Sequence, residues 1–378
     1  MTLDEARKEI DKIDSLLFEL FLKRMRVSDD IARIKMREGI PILNTAREKE
    51  VLAKAEKTAP EEYAQYTVAL TNFIMELSRS RQRDILSIES NKDNAFFNEI
   101  KSPRKPVESP RLAVQGVPGS FAGKAAATMY PDGKLQFVEK WDEVLCALQD
   151  GSADYGVLPV ENSTAGSVID VYDLLLKYKC YIAKGLQLPV THCLVGVRGA
   201  SISDIKNVYS HPHAFPQCRS FLEQHPRINK IPYINTALAA KMVAECGDKS
   251  KAAIASADCA HLYGLDIIAP SIQDSDLNCT RFIAVSKEFE LPDNANKISL
   301  VFSLPHITGS LYRTLGRFAL NGLNLSKIES RPDPKTPFEY YFYVDVIGNL
   351  KAQKTAKLLG AFSEELPFFS FLGNYCEE

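Results

Sequence analysis

The stretch Asn278-Cys279-Thr280-Arg281-Phe282 sets a hydroxyl beside a guanidinium where the apolar-polar alternation Phe282-Ile283-Ala284-Val285 begins, a strand signature. A proton donor and an anion clamp at a strand end suit a small anionic ligand, because α/β sheets bind ligands there. From this stretch alone, a Thr in a turn and an Arg in a surface ion pair is the favoured reading. Two other polar groups sit at comparable places. Glu161-Asn162-Ser163, continued by Thr164-Ala165-Gly166-Ser167, ends a buried-looking strand over 155–160 and precedes a helix over 168–178. Ser210-His211-Pro212-His213 ends another strand and leads to Gln217 and Cys218 on a helix. His211 has the pKa range of a general acid, although a His before Pro in a turn is commonly structural.

A different chemistry is written into the N-terminal 90 residues. Leu3, Ile10, Ile13, Leu17, Leu20, Val27, Ile31 and Ile34 follow a three-four spacing that predicts one amphipathic helix of about 35 residues, roughly 50 Å long. The same spacing puts Arg24 on the apolar seam and Lys35 on nearly the same face, where a cation is costly without an anion. Arg7 projects about 100° away around the helix, poorly placed for the same pocket, but in an intertwined dimer it could serve the partner's. Arg47 and Glu48 open a second helix over 45–57, and Ser78 and Gln82 share a face of a third over 61–88. These side chains describe a cationic pocket with one carboxylate and two neutral hydrogen bonders, fit for a small dianion. Snorkelling, or pairing with Asp14, Glu19 and Asp29, is the alternative.

The elements that must hold these residues fall into four segments. With 378 residues, 45% hydrophobic, 25% charged and a net charge of -2, the chain reads as a multidomain globular protein without the basic excess of a nucleic-acid binder. Its acidic start lacks the apolar core of a signal peptide, and no run approaches a membrane span. Eight cysteines without a C-x-x-C pair favour free thiols and a cytoplasmic location; no metal set and no nucleotide loop is apparent. Residues 1–90 are expected to be all-α and, with so long a first rod, an intertwined helical dimer. Residues 91–109, with Pro103 and Pro106, read as a linker. Residues 110–287 alternate strand and helix, predicting a parallel sheet in two lobes whose strand ends face a cleft. Here 111–114, 155–160, 189–197, 205–210 and 252–256 read as strands, and Thr236-Ala237 as the cap of a helix over 239–246. The turn Gly116-Val117-Pro118-Gly119-Ser120-Phe121 precedes a helix and can present N–H groups to an anion. After a separator at 292–296, residues 297–378 read βαββαβ, a ferredoxin-like α+β order.

The N-terminal segment resembles the all-helical chorismate mutases, whose functional positions fall on Arg7, Arg24, Lys35, Arg47, Glu48, Ser78 and Gln82. The resemblance implies that the arginines hold the two carboxylates of chorismate, that Lys35 and Gln82 catalyse by hydrogen-bonding the breaking ether oxygen, and that Glu48 meets the ring hydroxyl. Asn44 stands where relatives often carry Asp, a change expected to tune affinity. The Gly116 turn, Glu161-Asn162-Ser163 with Gly166-Ser167, Ser210-His211-Pro212 with Gln217, and Thr280-Arg281-Phe282 resemble prephenate dehydratases in family order. That implies a periplasmic-binding-protein-like two-lobed fold that forms phenylpyruvate. Thr280 would be the proton donor; Glu161, Asn162, Ser163, Ser210, Gln217 and Phe282 would contact substrate, and Arg281 would hold a carboxylate. No metal or cofactor is implied.

The C-terminal segment resembles ACT domains. Gly309-Ser310-Leu311, Asn324-Leu325 and Glu329-Ser330-Arg331-Pro332 are the positions expected to bind phenylalanine as an allosteric inhibitor, Ser310 replacing the family's usual Ala. The expectation is a bifunctional enzyme taking chorismate and prephenate, a homodimer or larger homo-oligomer with no nucleic-acid or membrane partner. A dehydratase preferring arogenate, a ligand-binding sensor without turnover, and a purely dimerising helical segment are the rivals.

Overall fold

The computed structural model describes residues 1–89, 95–333 and 336–378, in two compact units. The first contains residues 1–98, 304–323 and 351–366, and the second 99–303, 324–350 and 367–378. These units cut across the segments read from sequence. The helices of the βαββαβ segment belong to the first unit and its strands to the second.

In the first unit the leading helix is Leu3–Glu38, started by a Thr2/Glu5 capping box and stopped by Gly39, whose φ of 67° is left-handed. The second helix, Thr45–Thr58, is capped by Asn44, whose side chain accepts from the Arg47 N–H at 3.0 Å. A third helix spans Glu61–Glu89. Only Ser28 and Ala32 of the first helix are buried, while Ile10 and Leu20 are 56% and 63% exposed. Helices Ser310–Leu320 and Gln353–Glu365 complete the unit, with the Phe318 and Phe362 rings 5.2 Å apart.

The second unit is built on two sheets. The larger runs 324–332, 340–347, 297–303, 368–377, 181–189, 279–286, 155–162, 111–115 and 134–138, with the short strand Gly166–Ser167 paired to 155–162. The smaller runs 266–269, 193–196, 251–255, 207–210 and 229–232. Helices Phe121–Met129, Trp141–Gln149 and Ile169–Tyr178 pack on the larger sheet, and Thr236–Cys246 on the smaller. The expected two lobes are present as these sheets, but neither is purely parallel. The chain leaves the larger sheet after Pro189 and returns at Cys279, so the returning strand Cys279–Ser286 is antiparallel to both its neighbours. The expected strand over 189–197 is in fact two: Tyr181–Pro189 ends in one sheet and Cys193–Gly196 starts in the other. Asn235, not Thr236, caps Thr236–Cys246, accepting from Leu238 N–H at 2.7 Å.

The four C-terminal strands pair antiparallel in the order second, third, first, fourth. The separator at 292–296 does not set them apart. Phe368–Glu377 pairs parallel with Tyr181–Pro189 through Cys376↔Lys184 and Glu377↔Gly185. Gly373, at φ 145°, makes this approach possible, since a Cβ there would lie 2.4 Å from the Ile182 carbonyl oxygen. Of the linker residues 91–109, 91–94 lie outside the described residues; Ala95–Ile100 is a helix. Farther on, the segment docks. Arg104 pairs with buried Glu290 at 2.6 Å, Tyr155 Oη donates to Glu290 at 2.7 Å, and Val107 N–H donates to Tyr155 Oη at 3.1 Å.

Candidate active sites

In the first unit the seam cation Arg24 reaches the third helix, where it donates to the Ser78 hydroxyl and, at 3.4 Å, to the Ile74 carbonyl. Burial pushes its pKa down. One turn on, Ser28 Oγ donates to the Ser78 carbonyl at 3.3 Å and accepts from Gln82 Nε2 at 3.0 Å. Gln82 Oε1 is buried with no hydrogen-bond partner among the described residues, and a buried bare acceptor is costly unless a ligand answers it. Lys35 Nζ donates to the Ile42 carbonyl. Burial lowers its pKa, Glu48 opposes that, and Arg79 adds to it.

Glu48 is paired with Arg79, a residue the sequence reading passed over. Asp29 and Glu19, the alternative partners, are taken by Arg81 and Lys23, so neither neutralises Arg24 or Lys35. The structure therefore brings together Arg24, Ser78 and Gln82, and separately Lys35 and Glu48, adding Ser28 and Arg79. It does not bring Arg7 or Arg47 to them. Arg7 is exposed beside Asp4 at 3.8 Å, and Arg47 bridges Glu50 on the surface at 2.9 Å.

In the second unit, register sets Thr280 opposite Asn162 and Arg281 opposite Glu161; a bulge between Arg281 and Phe282 then shifts the pairing to Pro159. A bulge re-aims side chains and ends regular pairing. Asn162 Nδ2 lies 2.9 Å from Thr280 Oγ1 and 3.0 Å from Asn278 Oδ1, while Asn162 Oδ1 accepts from Thr164 N and Ala165 N at 3.0 and 2.9 Å. Because Asn162 donates to it, the Thr280 oxygen is an acceptor, and its own hydrogen is left for another group. Gln217 joins the network. It donates to Thr164 Oγ1 at 3.1 Å, accepts from Asn278 Nδ2 at 3.3 Å, and faces His192 Nε2 at 2.8 Å. His192 is buried, its pKa is pushed down by burial, and its Nδ1 has no partner among the described residues. A cavity of about 310 Å³ opens against Thr164, His213, Gln217, Asp274 and Asn278.

Other expected site residues are spent on the chain itself. Ser163 Oγ donates to the Leu277 carbonyl at 3.0 Å, Ser210 Oγ is fully buried against the Ile254 carbonyl at 2.8 Å, and Phe282 lies in the core. His211 Nδ1 accepts from the His213 N–H at 3.3 Å, and burial lowers its pKa. Arg281 departs furthest from expectation. It is buried and bound by Asp345, Glu377 and the Tyr375 hydroxyl, with Glu161 at 3.7 Å. Burial alone would lower its pKa, but Tyr375, Asp345 and Glu377 push it well up. The guanidinium read as a carboxylate clamp is thus neutralised internally, because the strands of 340–347 and 368–377 bring acids against it.

The remaining predicted positions divide by unit. Gly309 caps its helix in the left-handed conformation, Ser310 Oγ donates to the Pro305 carbonyl at 2.8 Å, and Leu311 follows in the first turn. Asn324, Leu325 and Ser330 lie on the edge strand Asn324–Pro332. On that strand Glu329 accepts from Ser167 Oγ, and Arg331 pairs with Asp173 at 3.0 Å. Lys327 of the same strand reaches Glu161 at 3.3 Å. Among the described residues no group of three His, Cys, Asp or Glu is arranged to hold a metal, and no helix is long and apolar enough to cross a membrane.

Comparison with known proteins agrees with this division. Residues 6–83 match the family model for chorismate mutase type II, and 112–290 that for prephenate dehydratase. The chain is 32% identical over 375 residues to a bifunctional chorismate mutase/prephenate dehydratase of Aquifex aeolicus, covering 99% of this chain and 97% of that protein. It is 38% identical over 281 residues to arogenate dehydratase/prephenate dehydratase 1 of Arabidopsis thaliana, covering 70% and 71%. Among solved structures, prephenate dehydratase from Arthrobacter aurescens in complex with L-Phe superposes with a TM-score of 0.65 at 32% identity, covering 70% of this chain and 90% of that one. With the mutase-like helices and the dehydratase-like sheets in one chain, and a relative of the same organisation along its whole length, the protein belongs to the family of bifunctional chorismate mutase/prephenate dehydratases.

Proposed function

We propose that the chain rearranges chorismate to prephenate in the helical pocket and converts prephenate to phenylpyruvate at the Asn162–Thr280 network. The observation that carries the reading is full-length similarity to a bifunctional relative, supported by two separate polar sites, one in each unit. In the first, Arg24 faces a substrate carboxylate, and Lys35 with Gln82 meets the ether oxygen as charge builds there. No proton moves, so positioning and electrostatics supply the rate. Arg7, distant and exposed in one copy, serves the pocket of a second copy, and the exposed apolar stripe of Leu3–Glu38 is the surface that copy covers. On this reading the assembly is at least a homodimer, and Arg47 turns inward when substrate binds.

In the second site the ring carboxylate leaves as CO2, the electron pair of its broken C–C bond enters the ring as it becomes aromatic, and the ring hydroxyl leaves as water after taking a proton. Thr280 gives that proton, its oxygen held by Asn162. Gln217 lines the cavity and orients substrate there, Asn162 acts behind it through Thr164 and Asn278, and Glu161 and Ser163 are read as further substrate contacts. The internally saturated Arg281 acts through Glu161. Residues 1–90, 110–287 and 297–378 are read as mutase, dehydratase and ACT segments. The ACT segment binds phenylalanine through Gly309–Leu311, Asn324–Leu325 and Glu329–Arg331 and lowers dehydratase turnover, a reading supported by the L-Phe complex of the Arthrobacter relative and by the contacts of Glu329 and Arg331 with Ser167 and Asp173. The free thiols fit a cytoplasmic setting. The name of the Arabidopsis relative favours arogenate as a second dehydratase substrate.

The test supplies purified protein with chorismate and follows chorismate, prephenate and phenylpyruvate together, with and without phenylalanine. Chorismate loss with phenylpyruvate formation suppressed by phenylalanine is expected. Prephenate that accumulates unchanged overturns the dehydratase half; supplying arogenate directly then separates the two substrates.

A further inference from the structure

We infer that Arg79 is a positioning residue of the mutase pocket, holding Glu48 in place from the third helix. The inference rests on the reading of that pocket given above. Arg79 is not at a seam position that marked the other site residues, yet its side chain is only 10% exposed. Its guanidinium bridges two helices, with one nitrogen on Glu48 at the start of Thr45–Thr58 and another on Glu76, one turn back on its own helix.

The second helix has no buried residue of its own. Among the described residues, what holds its first turn from the side is this ion pair, with the Asn44 cap below it. Glu76 does not hold Arg79 alone. It lies 3.6 Å from Arg83, which pairs with Glu365, and Arg317 also pairs with Glu365 at 3.0 Å. Arg79 is therefore anchored in a row of alternating charges that reaches helices 310–320 and 353–365 of the same unit. A planar guanidinium presents N–H donors from more than one edge at fixed angles, which is what bridging two carboxylates requires; a lysine offers a single point charge. Without Arg79, Glu48 and Glu76 would face each other as like charges, and Glu48 would swing away from the substrate hydroxyl.

A hydroxyl contact made equally in the ground and transition states is lost as binding, so KM rises while kcat holds. Arg79→Met is expected to raise KM for chorismate about tenfold or more with kcat changed less than about threefold, and Arg79→Lys to fall between it and the unmodified chain. Far-UV circular dichroism and dehydratase turnover on prephenate report whether each variant is folded. In Glu48→Gln the further change Arg79→Met should cost little, because the carboxylate it positions is gone. A folded Arg79→Lys chain with unchanged KM overturns the proposal, as does an Arg79→Met effect of the same size in the Glu48→Gln background. Absence of mutase turnover in the unmodified chain would instead overturn the reading of the pocket itself.

Discussion

Thr280 accepts a hydrogen bond from Asn162 through its oxygen, which on the proposed reading leaves its own hydrogen for the departing hydroxyl. Removing that hydroxyl in Thr280→Ala should lower dehydratase kcat about a hundredfold or more, within the usual range for a lost general acid, with mutase turnover untouched; near-normal phenylpyruvate formation would contradict the assignment. Lys35 makes a pH prediction. Burial depresses its pKa below the ordinary 10.5, and its charged form is the useful one, so mutase turnover should fall along an alkaline limb centred below 10.5. A limb at or above that value would show that Lys35 is not the group being titrated. His192 gives the opposite sign in stability. Its folded pKa lies below 6.5, so between the two values the unfolded chain holds the extra proton, and stability is lost as pH falls below about 6.5. Thermal melts across pH 5–8 should show that loss in the unmodified chain and a weaker one in His192→Gln.

The strands and helices were legible in unequal measure. The three-four spacing gave the first three helices nearly to their ends, because the pattern runs for many turns without Gly or Pro. The Thr280 strand end was visible from its own alternation. The bulge after Arg281 was not, since its signal lies in the register with Tyr155–Asn162, a partner more than a hundred residues away. Nor was Arg79, whose position reads as an ordinary helix-surface cation until Glu48 and Glu76 are brought to it. His192 carried no motif at all, and only its burial against Gln217 marks it. The ion pairs of Arg281 were hidden for the same reason: its acids come from strands 340–347 and 368–377, distant in sequence. Arg281→Met should accordingly cost about 3–5 kcal/mol of stability, the usual cost of stranding buried partners, and denaturant melts should show it. A folded, fully stable variant with only a raised KM for prephenate would restore the clamp. At the same junction Gly373→Ala should loosen pairing of 368–377 with 181–189, read as a lowered melting temperature, because the new methyl meets the Ile182 carbonyl.

Two copies of the chain are expected to share the exposed stripe of Leu3–Glu38. Leu20→Asp should therefore lower the mass seen by light scattering and cut mutase turnover while prephenate dehydration survives; a monomeric unmodified chain with full mutase activity would exclude an intertwined pocket. The proposed assembly rests on the length of Leu3–Glu38, its exposed apolar stripe and the remoteness of Arg7. What sequence did not state is that the first unit is discontinuous, taking in residues 304–323 and 351–366. A ribosome adds roughly 5–20 residues each second, so the N-terminal helices emerge tens of seconds before the segments that finish their unit. Through that interval Glu76 and Arg83 wait without Glu365, and the apolar stripe is already outside the ribosome. Nascent chains on one messenger thus have time to meet through their first helices before either has made its last strand.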